Sequence, residues 1–582
     1  MRLNVTRSKN SASLYVIKSI YNSKTQSNYS KIVEKLGTEA ELREKLNGAD
    51  PYEWAKEYIK KLNKEEKEQS RKILVPFEQS KIISKGEKRS FNGGYLFLQK
   101  IYHELGLHKI CKEISRKYKF DFDLDSILSR LTYGRVIFPS SKLATNELSK
   151  RFIEQPNFEL HQIYRALEVL AKETDFIQSA LYENSMKVSR RNTGVLYYDC
   201  TNYFFEIEQE DGDKQYGPAK DHKPNPIVQM GLFMDGDGIP LAFSINRGNM
   251  NEQLTLKPLE TKIISDFELS KFVVCTDAGL ASEDNRKFND KDDRAFITTQ
   301  SIKKLKEYLK KWSLAPDNWK LPGSEKSYDI SKLDEIIEKA APEEKEEIRA
   351  KVFFKERWIK ENGFEQRLIV TYSIKYRDYQ RKIRNGQIER AQKVIDTNPT
   401  KLKKCNPNDY KRFIHKTSCT SDGEVADKEI YSIDSSLIRK EEAFDGFYGV
   451  CTNLEDDVSE IIKANRRRWE IEECFRIMKS EFKARPVYLS NDDRIKAHFT
   501  TCFISLIIYR FLEKRLNEKF TCHEVITGLR DMNFLELKGE GYVPTYTRTD
   551  FTDALHDVFN FRTDYQIVTS SMMKKIFKDT KK

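Results

Sequence analysis

Residues 93–190 repeat apolar positions every three or four residues. LFLQKIYHELGL, DSILSRLTYGRVI and IYRALEVLAKE each carry this helical period, with breaks at Pro139-Ser140-Ser141 and Pro156-Asn157. The texture changes at residue 194. VLYYDCTNYFF, PIVQMGLFMD and IPLAFSINRG are β-rich, and Asp235-Gly236 and Asp237-Gly238 predict a hairpin between the second and third. A helix is expected near 251–265, then a strand, KFVVCTDAGL, a short helix near 282–289 and a fifth strand, RAFITTQ. The order β-β-β-α-β-α-β describes a mixed α/β sheet with helices on its faces. Strand-like FDGFYGVCTNL follows at 444–454, then a long helix over about 457–484 and a more apolar one over about 494–516. At the N-terminus, SLYVIKSIYN alternates like a strand before a charged, helical stretch, and 52–72 reads as a polar surface helix or linker.

A chain of 582 residues exceeds what one core normally serves, so several domains are expected. The expected division is 1–90, a strand and helix region; 91–190, a helical domain; 191–300 with 441–515, the sheet domain; 301–440, a basic β-rich insertion; and 516–582, a C-terminal region. With 38% hydrophobic residues the chain can build real cores, which excludes a disordered protein. The nine cysteines form no C-x-x-C pair, which argues against a zinc or disulfide framework. MRLNVTRSKNSASLYVIKSI lacks a secretory apolar core, and FISLIIYRF (503–511) is too short and polar to span a bilayer. A cytoplasmic protein with no membrane partner is expected.

The net charge of +12 is concentrated between Lys375 and Lys416, where thirteen cations, Arg381, Arg384, Lys403 and Lys404 among them, face four acids. Such a patch suits a polyanion through counterion release, or is simply a solvated surface. Arg130, Arg135, Lys142 and Lys150 in the helical segment are further candidate phosphate contacts, although no helix-turn-helix stands out. Trp319 and Trp358 could stack on an unpaired base or lie in a core, and Trp469 is expected to pack near its helix.

Asp199 lies in the first strand among apolar neighbours, where a carboxylate is rare unless paired or coordinating. Asp277 ends the fourth strand, at the kind of strand end where α/β sheets bind ligands. The two converge if strands one and four are adjacent; otherwise each caps a turn. On the long helix, an advance of about 100° per residue puts Phe475, Met478 and Phe482 within about 40° of Ile471, a buried stripe. Arg468, Glu472, Arg476 and Lys479 form a second stripe bordering it, while Glu470 and Glu473 point elsewhere. An i, i+4 ion-pair ladder would explain these charges but not the two strand acids.

NRRRWEIEECFRIMKSEFKARPVY, YYDCTNYFF, VVCTDAGLASEDN, RGNMNE and FDGFYGVCTNL resemble insertion-sequence transposases of the DDE type, in the group with a Tyr-x2-Arg-x3-Glu-x6-Lys signature. Asn465, Arg468, Glu472 and Lys479 match that spacing, with Asn465 where the pattern has Tyr. The resemblance covers about 190–515. It implies a ribonuclease-H-like catalytic domain in which Asp199, Asp277 and Glu472 hold two Mg²⁺ ions, with Mn²⁺ as a substitute. Arg468, Arg476, Lys479, Lys220 and Lys223, with the insertion, would contact DNA; His222 is a weak candidate metal ligand. The implied partners are double-stranded terminal repeats and target DNA, bound by a homodimer at the nucleoid of a bacterial or archaeal cell. The alternatives are a domesticated DNA-binding protein and a nuclease without strand transfer.

Overall fold

The structure, a computed structural model, describes residues 1–8, 11–22, 26–46, 48–69, 72–291, 293–361, 363–397, 408–419 and 428–582. The chain divides into two compact units, residues 1–87 and 88–582.

In the first unit, β1 (Arg2–Arg7), β2 (Ala12–Asn22) and β3 (Ser27–Thr38) form an antiparallel sheet in that order. Alternation along β2 buries Leu14 and Val16, and a bulge between Val16 and Ile17 turns the next residue inward as well. The expected helical stretch after β2 is instead β3. Most of that strand is exposed, so it carries no inside–outside period to read. A helix begins only at Glu39, where a capping box ends the strand: Glu41 N donates to Thr38 Oγ1 (3.3 Å) and Thr38 N to Glu41 Oε2 (2.9 Å).

The second unit opens with β4 (Ser90–Asn92) and six helices between Tyr95 and Val188. Then come β5 (Val195–Phe204), β6 (Ile227–Asp235), β7 (Pro240–Arg247), β8 (Val273–Thr276), β9 (Ala295–Gln300), β10 (Val352–Glu361) and β11 (Phe364–Ser373). A hairpin, β12 (Ile414–Cys419) and β13 (Lys428–Ile433), precedes β14 (Phe447–Thr452). The eight-stranded mixed sheet runs β10-β11-β14-β9-β8-β5-β6-β7, with β5–β8 and β8–β9 parallel. The expected β-β-β-α-β-α-β order is present in β5 to β9. β15 (Asn533–Leu537), β16 (Gly541–Pro544) and β17 (Val568–Thr569) join β4 in a separate small sheet.

The β6–β7 turn shows how the Asp-Gly signal works. Asp235 Oδ1 accepts from Asp237 N (3.0 Å) and Ile239 N (2.9 Å), and Arg191 Nε donates to Asp235 Oδ2 (2.6 Å). Gly238 takes the left-handed conformation the turn requires, at φ +80°.

One face of the sheet packs Leu196, Tyr198, Phe233 and Val274 against the helix Leu256–Asp266. The opposite face packs Tyr197, Tyr203, Leu232 and Cys275 with Ile471, Phe475, Met478, Phe499 and Phe503. The last two belong to a core helix, Asp492–Arg515, buried from Ala497 to Glu513. By length and composition alone this helix could cross a membrane, contrary to the sequence expectation, but its apolar window is nearly all buried in the protein.

The stretch 301–440 is mixed rather than β-rich. β10 and β11 extend the main sheet beyond β14. The remainder is largely helical, including Ile374–Thr397. That helix is hidden in the sequence because it is charged around most of its circumference and buries only Ile374, Arg377, Arg384 and Ala391.

Candidate active site

Asp199 has the same strand parity as Tyr197 and Tyr203, so it belongs to the face that carries Ile471 and Phe475. β5 and β8 pair in parallel, Val195 with Val273, Leu196 with Val274 and Tyr197 with Cys275. Continued by two residues, that register sets Asp277 beside Asp199 on strands about 4.8 Å apart. Asp277 Oδ1 accepts from Gly279 N and Leu280 N, both at 3.0 Å. The turn-capping reading of this residue is therefore realised, while its charge is felt at Asp199. Asp199 Oδ1 accepts from Cys200 N (2.7 Å). Burial pushes the Asp199 carboxyl up to about 6; Asp277 adds repulsion, and Lys220 and Arg468 oppose it.

The expected long helix is three segments: Val458–Arg466, Trp469–Arg476 and a π-helical turn, Ile477–Glu481. Ile471, Phe475, Met478 and Phe482 are buried as the stripe requires. The wide turn buries Ile477 too, which a straight helix would place off the stripe. Arg468 Nη1 lies 3.5 Å from Glu472 Oε1, and the same guanidinium acts on Asp199 and on Cys275. Glu472 itself is 59% exposed. Burial and the nearby Lys220 lower Lys479 to about 8, against the attraction of Asp199. Arg476 is not brought to this group; its Nη2 lies 2.9 Å from Glu473 Oε1. Glu470, read as pointing away, is buried and accepts from Arg467 Nε (2.9 Å).

Lys220 enters from the loop after β5. Its backbone N donates to Asn202 Oδ1 (3.2 Å), and its Nζ donates to the Cys200 carbonyl and lies 3.4 Å from Glu252 Oε1. Glu252 was missed by sequence reasoning, although it lies in the RGNMNE motif. Asn251 caps the turn that presents it, accepting from Gln253 N (3.1 Å). Lys223 Nζ rests 3.8 Å from the Phe204 ring centroid. His222 has a left-handed backbone, φ +54°.

Other candidates change role. Arg384 is 5% exposed and forks onto Asp445, donating from Nη1 to Oδ1 (2.7 Å) and from Nη2 to Oδ2 (2.6 Å). It is a buried structural ion pair, not a DNA contact. Arg381 stays half exposed with its Nε 3.5 Å from Asp445. Lys403 and Lys404 lie outside the described residues. Arg377 and Arg412 are paired with Asp334 and Glu441, so the charge excess of the stretch is partly cancelled by acids elsewhere. In the helical segment, Arg130 and Arg135 are buried and donate to the carbonyls of Glu154 and Phe482, both at 3.0 Å, and Lys150 pairs with Glu147 (2.7 Å). Lys142 is buried. Trp319 is fully buried, Trp358 is half exposed, and Trp469, expected to pack near its helix, is 58% exposed. Asn465 donates from Nδ2 to Tyr448 Oη (3.2 Å).

Among the described residues, one group of three His, Cys, Asp or Glu side chains has its ligand atoms within 4.8 Å of one another: Asp553, His556 and Asp564. Its carboxylates already pair with Arg548 and Arg562, so it is an ion-pair network. Asp199, Asp277 and Glu472 are not drawn to that spacing. Asp199 and Asp277 nevertheless fit a hard cation: two adjacent carboxylates repel, and a divalent ion relieves that repulsion. Glu472 is open to solvent one turn from Arg468, the residue whose charge also acts on Asp199.

A mixed-sheet α/β protein with acids at the ends of adjacent parallel strands has the oxygen donors that a hard divalent cation prefers. The transposase DDE domain family matches residues 202–508, more than half of the chain, and the chain belongs to that family. The matched segment starts three residues after Asp199 and includes Asp277 and Glu472. No curated protein sequence matches the chain. Among solved structures, a piggyBac transposase synaptic complex with hairpin DNA shares 8% identity at a TM-score of 0.35, covering 75% of this chain and 79% of that one. That likeness is too low to carry an argument.

Proposed function

We propose that the protein is a cut-and-paste transposase of an insertion sequence, with a ribonuclease-H-like catalytic core. One observation supports this reading: β5 and β8 pair in parallel, and their register, continued by two residues, would bring Asp199 and Asp277 together on the face that packs against Ile471 and Phe475. Family membership supports it. Asp199, Asp277 and Glu472 would hold two Mg²⁺ ions, with Mn²⁺ able to replace them. When bound, the ions activate the attacking water or 3′-hydroxyl and stabilise the leaving oxygen.

The chain's own groups do the rest. Arg468 offers a fork, and Lys479 and Lys220 offer point charges, that orient a phosphate beside Asp199. Glu252 holds Lys220 in place. Ile471 and Phe475 lock the helix to the sheet, which fixes the approach of Arg468. The DNA would be terminal repeats and then target DNA, gripped by a homodimer at the nucleoid of a bacterial or archaeal cytoplasm. Residues 91–190 and 301–440 would help hold the ends.

The test supplies paired element ends, Mg²⁺ and a target plasmid. Joined products are expected. Cleavage without joining would make the protein a nuclease, and binding alone a DNA-binding protein. Glu472→Gln should abolish cleavage while end binding persists. If binding fell equally, Glu472 would be structural and the metal reading wrong.

A further inference from the structure

A cavity of about 300 Å³ lies between the segments Pro139–Leu143 and Lys483–Leu489. Arg135, Lys142, Lys483, Arg485 and His498 line it, and no acidic residue does. His498 is held neutral by burial and the neighbouring Arg135 and Lys142. Arg485 pairs with Asp221 outside the wall. Arg135 braces the two sides, donating from Nη1 to the Phe482 carbonyl (3.0 Å) and from Nη2 to the Ser140 carbonyl (3.3 Å), and so leaves a fixed positive charge at the back.

Lys142 is the anomaly. It is only 5% exposed, yet among the described residues it has no ion pair or hydrogen-bond acceptor. A buried, unpaired ammonium is costly, and the cost is normally met by a counter-charge. Among the described residues nothing supplies one. Burial, reinforced by Arg135, lowers Lys142 to about 7. Lys142 also opens the helix Lys142–Ser149, whose N-cap is Ser141. The positive end of the helix therefore adds to the field in the cavity.

We propose that this cavity is a phosphate subsite that takes one backbone phosphate of the DNA bound at Asp199 and Asp277, with Lys142 as its central donor and Lys483 and Arg485 at its mouth. The assignment rests on the DNA-cutting reading above. The chain itself links the two places. Lys483 and Arg485 follow Lys479, which senses Asp199, by a few residues, and Asp221, the partner of Arg485, follows Lys220. Tyr488 and Leu143, both exposed, also line the cavity and offer apolar surface suited to a sugar rather than to a free ion.

The experiment measures acylation of Lys142 in the full-length protein by mass spectrometry, without metal, in the presence of inorganic phosphate or of a mixed-sequence linear duplex. Both should protect Lys142. Separately, duplex affinity is followed against salt for the wild type and Lys142→Met. The variant should fold, lose affinity several-fold, and lower the salt slope by about one. Lys142→Arg should restore most of the slope. Protection by neither ligand, or an unchanged slope in Lys142→Met, overturns the subsite. Protection by phosphate but not by duplex overturns the DNA assignment and leaves a free-phosphate site. Failure of the DNA-cutting reading is seen elsewhere, as absent cleavage by the wild type with Mg²⁺, and does not alter the protection result.

Discussion

Glu260 offers a quantitative test of how the loop after Asp277 is held. The residue is fully buried on the helix Leu256–Asp266. Its Oε2 accepts from Asn289 Nδ2 (3.1 Å), and Oε1 has no partner. Asn285 Nδ2 then donates to the carbonyls of Gln253 (3.0 Å) and Leu280 (2.9 Å), and Gln253 Nε2 donates to the Gly279 carbonyl (3.0 Å). The network thus runs from Glu260 to the turn that carries Glu252 and to the loop that follows Asp277. Burial pushes the Glu260 carboxyl from its ordinary 4.5 up to about 7, against the Asn289 hydrogen bond and the charges of Arg294 and Lys257. The native state therefore binds this proton more tightly than the unfolded chain. Stability is intact below pH 4.5, falls as the pH rises through 7, and levels above about 8. A shift of this size costs about 3 kcal/mol at the alkaline end. Glu260→Gln keeps the acceptor for Asn289 and abolishes the titration. Urea unfolding at pH 4.5, 7 and 8.5 should give similar midpoints at acid pH and a variant more stable by about 3 kcal/mol at pH 8.5. The difference between the two proteins cancels every other titrating group. Parallel pH curves would refute the reasoning.

Two further outcomes follow from the same geometry. Asp445→Ala strips the buried Arg384 guanidinium of both short hydrogen bonds and leaves only Glu442 at 3.5 Å, so it should cost about 3 kcal/mol, read as lost hydrogen-exchange protection across 374–397; the double replacement Arg384→Met with Asp445→Leu should recover most of it. Arg468→Ala removes a guanidinium that pairs with Glu472 and whose charge is felt at Asp199, so single-turnover cleavage of an end duplex should fall about 10²–10³-fold. Duplex binding should weaken far less; an equal loss of both would reduce Arg468 to a general DNA contact.

Local periodicity carried much of the catalytic fold. The alternation and Asp-Gly turns of 195–247 and the stripe Ile471, Phe475, Met478 are properties of short windows, and the structure has them. The adjacency of strands one and four is left open by the sequence and is supplied by the parallel β5–β8 pairing. What failed was information carried by distant residues. Arg384 looked like a surface cation because its partner Asp445 lies 61 residues further on. Counting charges by segment cannot see that Asp334 and Glu441 neutralise Arg377 and Arg412. Arg476 is set apart from Lys479 for a local reason. The helical wheel assumed one straight helix, and the π-turn at Ile477 separates Lys479, which senses Asp199, from Arg476, which pairs with Glu473.

Buried charge in this protein falls into two kinds, and the distinction is what locates function. Arg191 with Asp235 and Arg384 with Asp445 are closed pairs, each guanidinium matched at 2.6–2.7 Å by a carboxylate, and they fix a turn and a helix. Closed pairs need nothing from outside. Asp199 beside Asp277, and Lys142 beside Arg135, are like charges set together in poorly solvated surroundings. Folding alone would remove such arrangements, because each member raises the cost of the other. Each is relieved by a ligand of opposite sign, a cation in the first case and a phosphate in the second. A metal-bound phosphodiester carries both signs at once. If one DNA strand spans both places, Mg²⁺ and duplex should therefore bind cooperatively, each strengthening the other by the same factor. Measuring the Mg²⁺ dependence of duplex affinity in the wild type and in Lys142→Met separates the two contributions: the cooperative gain belongs to the carboxylates and should survive the loss of Lys142.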